Sequence, residues 1–101
     1  MRAATLLLLL AAALAAAPTP YLSPSAVVAA PSGKLLYITE YTAARVAVFD
    51  LVQGKTLRHI ALPAPPGGIA LSPDGATLYA AVGALAGEVL VISTTTGAIT
   101  A

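Results

Sequence analysis

From residue 26 onward the chain alternates short apolar runs with turn signals. It opens with AVVAA, then PSG, LLYITE, a loop, RVAVFD, LVQGK and TLRHIAL. The four runs of five to seven residues are rich in β-branched and aromatic types and bounded by Gly, Pro, Ser or Asp, which is how strands read. No apolar period of 3.6 residues survives the intervening glycines and prolines, so a helical reading fails. The runs are nearly continuously apolar rather than strictly alternating, which suits strands covered on both faces.

The same grammar then repeats. Displacing the chain against itself by 42 residues sets Pro31 on Pro73, Gly33 on Gly75, Leu36 on Leu78 and Tyr37 on Tyr79. One extra residue in the second copy moves the offset to 43, which aligns Val46 with Val89, Val48 with Val91 and Gly54 with Gly97. A period of this length marks a solenoid, a propeller or an array. In SPDG, Pro73 presets φ for the first central position of a type I turn, Asp74 suits the second, and Gly75 can take the positive φ that follows. PSG repeats that logic with Pro31, Ser32 and Gly33. Gly54 and Gly97 serve the turn between the third and fourth strands of each copy. Asp50 stands where its carboxylate can accept from amides of the LVQG turn, and Ser93 fills that slot in the second copy. The PAPPGG stretch, residues 63–68, is expected to be a joint outside any ladder, because its three prolines lack donors.

Four antiparallel strands per repeat followed by a proline-glycine joint describe a propeller blade. The predicted fold is all-β: one full four-stranded antiparallel blade and three strands of a second, an incomplete propeller preceded by a helical signal peptide. The SPDG-x-x-LY turn and strand, followed by V-x-V, a hydrophobic residue, Asp or Ser, and then a glycine turn, resemble the YVTN-type β-propeller repeat of exported bacterial proteins. The resemblance covers residues 26–100, with Tyr37-Ile38-Thr39-Glu40 and Tyr79-Ala80-Ala81-Val82 at the signature tetrapeptide. A Trp-Asp type of repeat is excluded, since the chain has no Trp. The resemblance implies periplasmic, cell-surface or secreted residence, with a ligand or an envelope protein as partner. Ligands of such propellers sit at the end of the blade carrying the strand 2–3 loops, or in the central channel.

Ahead of the repeats stands MRAATLLLLLAAALAAA, residues 1–17. A basic residue, an apolar run and small alanines give the layout of a secretory signal peptide. Its fifteen-residue stretch from Ala3 to Ala17 is short of the about twenty residues a membrane helix needs, so no stable span is expected after its removal. The expected organisation is a signal peptide at 1–17, a linker at 18–25, a first blade at 26–66 and a truncated second blade at 67–101.

Composition removes several function classes. Beyond the leader, Lys34, Arg45, Lys55 and Arg58 balance Glu40, Asp50, Asp74 and Glu88, so no basic stripe is available for nucleic acid. Cysteine is absent, and with it disulfide staples and thiolate ligands. His59 is the only histidine; one imidazole does not make a zinc site. Neither a nucleophile elbow nor a phosphate-binding glycine loop occurs. No catalytic residue, metal or cofactor is therefore expected.

Antiparallel order gathers EYTAAR (40–45), GALAGE (83–88) and the PAPPGG joint at one end of the blades. Glu40, Tyr41 and Arg45, with Glu88, are thus the candidate ligand-binding residues. Their charges are expected to be solvated, with Arg45 and Glu88 positioned to pair across blades. The structural turn positions are Pro31, Gly33, Gly54, Pro73, Asp74, Gly75 and Gly97. Two blades alone leave much apolar surface wet, so further blades are expected, in cis or by oligomerisation. The stop at GAIT, where a fourth strand would begin, favours a fragment of a longer propeller. The function expected is a non-catalytic binding or scaffold surface. The alternative is the N-terminal part of a propeller enzyme, lactonase-like or linked to a haem or quinone oxidoreductase, with its catalytic residues elsewhere.

Overall fold

The computed structural model describes residues 23–83 and 87–101. The expected signal peptide lies outside the described residues. Among the described residues, seven strands occur in chain order: β1 Pro24–Ala29, β2 Leu35–Glu40, β3 Arg45–Asp50, β4 Lys55–Ala61, β5 Pro66–Leu71, β6 Thr77–Val82 and β7 Glu88–Ser93. They form a four-stranded sheet in the order β1-β2-β3-β4 and a three-stranded sheet in the order β5-β6-β7. Every pairing is antiparallel. The fold is therefore all-β, with one full meander and three strands of a second, as the repeat predicts. Ile99 makes an isolated antiparallel bridge to Ile92 of β7.

The turns form for the reasons their residues supply. The Gly33 amide donates to the Ala30 carbonyl at 2.9 Å and that of Gly75 to Ser72 at 2.8 Å. The two glycines have φ of 73° and 75°, a region where a Cβ is penalised. Asp50 Oδ1 accepts from the Val52 and Gln53 amides at 2.8 and 3.0 Å, which stops β3 and reverses the chain.

Two strand starts differ from expectation. β1 begins at Pro24, inside the expected linker, and β5 takes in Pro66, Gly67 and Gly68 from the joint. A proline is tolerated as the first residue of a strand or at a bulge. Pro66 has both advantages: it opens β5 opposite Val82, and the register shifts between Pro66 and Ile69.

Side chains alternate across each strand, so every sheet has two faces, and the register assigns them. In the first sheet, face X carries Leu35, Tyr37, Thr39, Val46, Val48 and Ile60, while face Y carries Leu36, Ile38, Glu40, Arg45, Ala47 and Phe49. In the second, the repeat-equivalent X residues are Tyr79, Ala81, Val89 and Val91, and the Y residues are Leu78, Ala80, Val82, Leu90 and Ile92. One hydrophobic core unites X of the first sheet (Tyr37, Val46, Val48, Ile60) with Y of the second (Leu78, Ala80, Val82, Leu90, Ile92). The sheets stack head to tail, one's X on the other's Y. Polar bonds pin the seam: Thr39 Oγ1 donates to the Gly67 carbonyl at 3.4 Å, and Ser25 Oγ to that of Pro66 at 3.3 Å. At the outer strands, Arg58 donates to the carbonyls of Thr94 and Thr95.

Candidate functional site

The β2–β3 connection spans residues 41–44 and is tied down at both sides. The Tyr41 amide donates to the Ser23 carbonyl at 2.9 Å, and the Leu62 amide to that of Ala44 at 2.9 Å. Ala44 itself has φ of 50°, an uncommon conformation for a residue with a Cβ. This tight loop sets Glu40 directly opposite Arg45. Arg45 Nε donates to Glu40 Oε1 at 2.7 Å, and His59 Nε2, from β4, lies 3.8 Å from the same oxygen. The Glu40 side chain is only 9% exposed, whereas Arg45 and His59 reach solvent at 30% and 41%.

This arrangement corrects two expectations. Glu40 is not a solvated flanking charge: it lies buried on face Y, held by a charge-assisted bond of the stronger kind. Arg45 is paired with Glu40 of its own sheet rather than across the seam with Glu88. In the second sheet the position equivalent to Glu40 is Val82, which faces Glu88 across the strands, so the ion pair of the first repeat has no counterpart there. The approach of His59 to Glu40 follows from Ala47 pairing with His59, a register that residue types alone do not reveal.

Tyr41 and Glu88, in contrast, share one cleft. At the β2–β3 loop end, Tyr41, Pro65, Gly67, Val82, Glu88 and Val89 line a depression of about 320 Å³ at the seam of the two sheets. Its side-chain chemistry is one phenol and one carboxylate set among apolar residues and glycine backbone. Residues 84–86 of the GALAGE loop lie outside the described residues. The four candidates therefore divide into an ion cluster on face Y (Glu40, Arg45) and a cleft pair (Tyr41, Glu88).

At the opposite end, Asp74 is a turn residue. Its Oδ1 accepts from Ser72 Oγ at 2.6 Å and from the Ala76 amide at 3.0 Å. The Ser72 bond first, and the Ala76 amide second, hold its carboxyl below the usual value, since bonds to the charged form favour it. Among the described residues, no group of three or more His, Cys, Asp or Glu side chains is placed to hold a metal ion, and no helix is long and apolar enough to cross a membrane.

No protein-family model matches the chain, and no curated protein matches it. Among solved structures, hydrazine synthase of Kuenenia stuttgartiensis is similar to it, with a TM-score of 0.75 and 24% sequence identity. The match covers 85% of this chain and 24% of that one, so the chain spans about a quarter of the length of the structure it resembles. At this identity the likeness concerns the fold alone, and the fold is propeller-like.

Proposed function

We propose that the chain is a segment of an exported, YVTN-type β-propeller that serves as a binding or scaffold surface without chemistry of its own, in the periplasm, on the cell surface or outside the cell. The observation that carries this reading is the cleft at the β2–β3 loop end. It lies between two blades, it has the size of a small-ligand site, and its polar groups recognise rather than transform. Tyr41 offers an aromatic face and a hydroxyl, Glu88 a negative charge, and the flanking glycines unencumbered backbone. Together these suit a ligand with a cationic group, which gains from both the ring and the carboxylate. The test is a thermal-shift titration of the purified chain with choline and with a lysine-containing peptide. A saturable rise in the unfolding midpoint that is lost in both Tyr41→Ala and Glu88→Gln supports the reading. No rise, or one that survives both substitutions, defeats it.

A second reading is favoured by one observation: a solved structure of similar fold is a synthase. Under it the chain is the opening part of a propeller enzyme whose catalytic groups lie beyond these residues. The same titration separates the two, because a segment that only frames a distant active site gives no Tyr41- and Glu88-dependent shift.

A further inference from the structure

At three positions of face X, Tyr37/Tyr79, Val46/Val89 and Val48/Val91, the two repeats carry the same residue and bury it differently. Tyr37, Val46 and Val48 are 3%, 0% and 3% exposed under face Y of the second sheet. Their equivalents Tyr79 and Val89 are 39% and 60% exposed, and Val91 is half-buried. Between them, Ala70, Tyr79, Ala81 and Val89 line a shallow apolar hollow of about 310 Å³. On the opposite side of the molecule, face Y of the first sheet is likewise incompletely covered. Val27 is 60% exposed, and Leu36, Ile38 and Phe49 are half-buried and stand outside the main core.

What covers a face X is visible inside the molecule: a face Y. The contact is heterologous, made by different surfaces of two equivalent units, so it does not saturate itself. A unit carrying an open X at one end and an open Y at the other can propagate the contact, and such interfaces close into rings when the rotation between units allows. From this continuity we infer that the Tyr79–Val89 face binds a second copy of this chain, receiving its Leu36, Ile38 and Phe49 as the first sheet receives Leu78, Ala80 and Ile92. The turn contact supports the same register. A Cβ on Gly75 would lie 2.9 Å from Pro31 Cδ, whereas Gly33, its equivalent, has nothing within 4 Å and Pro73 is exposed. In the assembly Pro73 of one copy packs on Gly33 of the next.

The inference is tested by the mass of the purified chain in solution, from light scattering and native mass spectrometry, for wild type, Val89→Asp on face X, Phe49→Asp on face Y, and Val52→Asp as a control on the β3–β4 turn. Wild type and Val52→Asp should give one discrete oligomer, while each face variant falls to monomer mass. Mixing the two face variants in equal amounts should restore a single contact and yield a heterodimer, which only a head-to-tail interface allows. Retained β-type circular dichroism shows that a face variant is folded. If Val89→Asp is not, Tyr79→Ala replaces it and should shift the wild-type oligomer toward monomer. A wild-type monomer, a polydisperse aggregate, or a mass altered by Val89→Asp but not by Phe49→Asp would overturn the inference.

Discussion

Gly75 offers a way to measure the seam between the sheets without truncating the core. Replacing it with alanine does two things. It places a Cβ on a residue whose φ is 75°, and it drives that Cβ to 2.9 Å from Pro31 Cδ and 3.3 Å from Pro31 Cγ. Gly54 isolates the first effect, since its φ is 68° and nothing lies within 4 Å of the position a Cβ would take. A Cβ in the left-handed region costs about 1–2 kcal/mol, offset by about 0.4–1 kcal/mol from the restricted unfolded chain. Gly54→Ala should therefore destabilise by about 1 kcal/mol. Gly75→Ala adds overpacking against a rigid ring that cannot swing aside, a further 1–3 kcal/mol or so. Urea unfolding followed by far-UV circular dichroism should thus separate the two variants by about that increment, with m-values unchanged. Removing the ring closes the cycle: in a Pro31→Ala background, Gly75→Ala should cost about as much as Gly54→Ala. Equal costs for the two single variants, or no coupling between positions 31 and 75, would show that the turns do not meet across the seam.

Other outcomes follow from the same geometry. Thr39→Val removes a fully buried hydroxyl that bonds Ser25, Ala26 and Gly67 while keeping the shape, and should cost about 1 kcal/mol in the same unfolding assay. Arg45→Met strands the Glu40 carboxylate on face Y and should destabilise by about 1–3 kcal/mol. Adding Glu40→Leu should recover much of that loss, because an apolar pair often replaces a buried ion pair without penalty. Ser72→Ala should raise the Asp74 pKa toward its ordinary value of 3.8, read from the carboxyl carbon shift in an NMR titration. Because the folded value is depressed, the stability linked to Asp74 is present above the ordinary value and is lost as pH falls through the depressed one. Ser72→Ala should therefore flatten the acid limb of the stability profile.

The strands and turns were legible because they rest on local chemistry. Pro31-Ser32-Gly33 and Pro73-Asp74-Gly75 carry their turn geometry in their own residues, and the offsets of 42 and 43 name the equivalent positions. The start of β5 was not legible. Three prolines argue against a ladder until it is known that Pro66 opens the strand at a register shift. The site divided along the same line. Tyr41 and Glu88 reach one cleft because topology alone sends both loops to one end. The Glu40–Arg45–His59 cluster depends on cross-strand register, which a four-residue loop sets for Glu40 and Arg45 but which extends to His59 only through the pairing of β3 with β4. Burial was least legible of all. Tyr37 and Tyr79 are the same residue in the same repeat slot, and only the stacking of one sheet on the other covers the first and leaves the second open.

The claim on which the account rests is that two equivalent sheets stack X on Y, and a NOESY spectrum of the isotope-labelled chain tests it most directly. The account predicts a cross-peak between Gly75 Hα and Pro31 Hδ, and another between Thr39 and Gly67, alongside the cross-strand peaks of β1–β4 and β5–β7. Cross-strand peaks within each sheet without either peak between the sheets would contradict it.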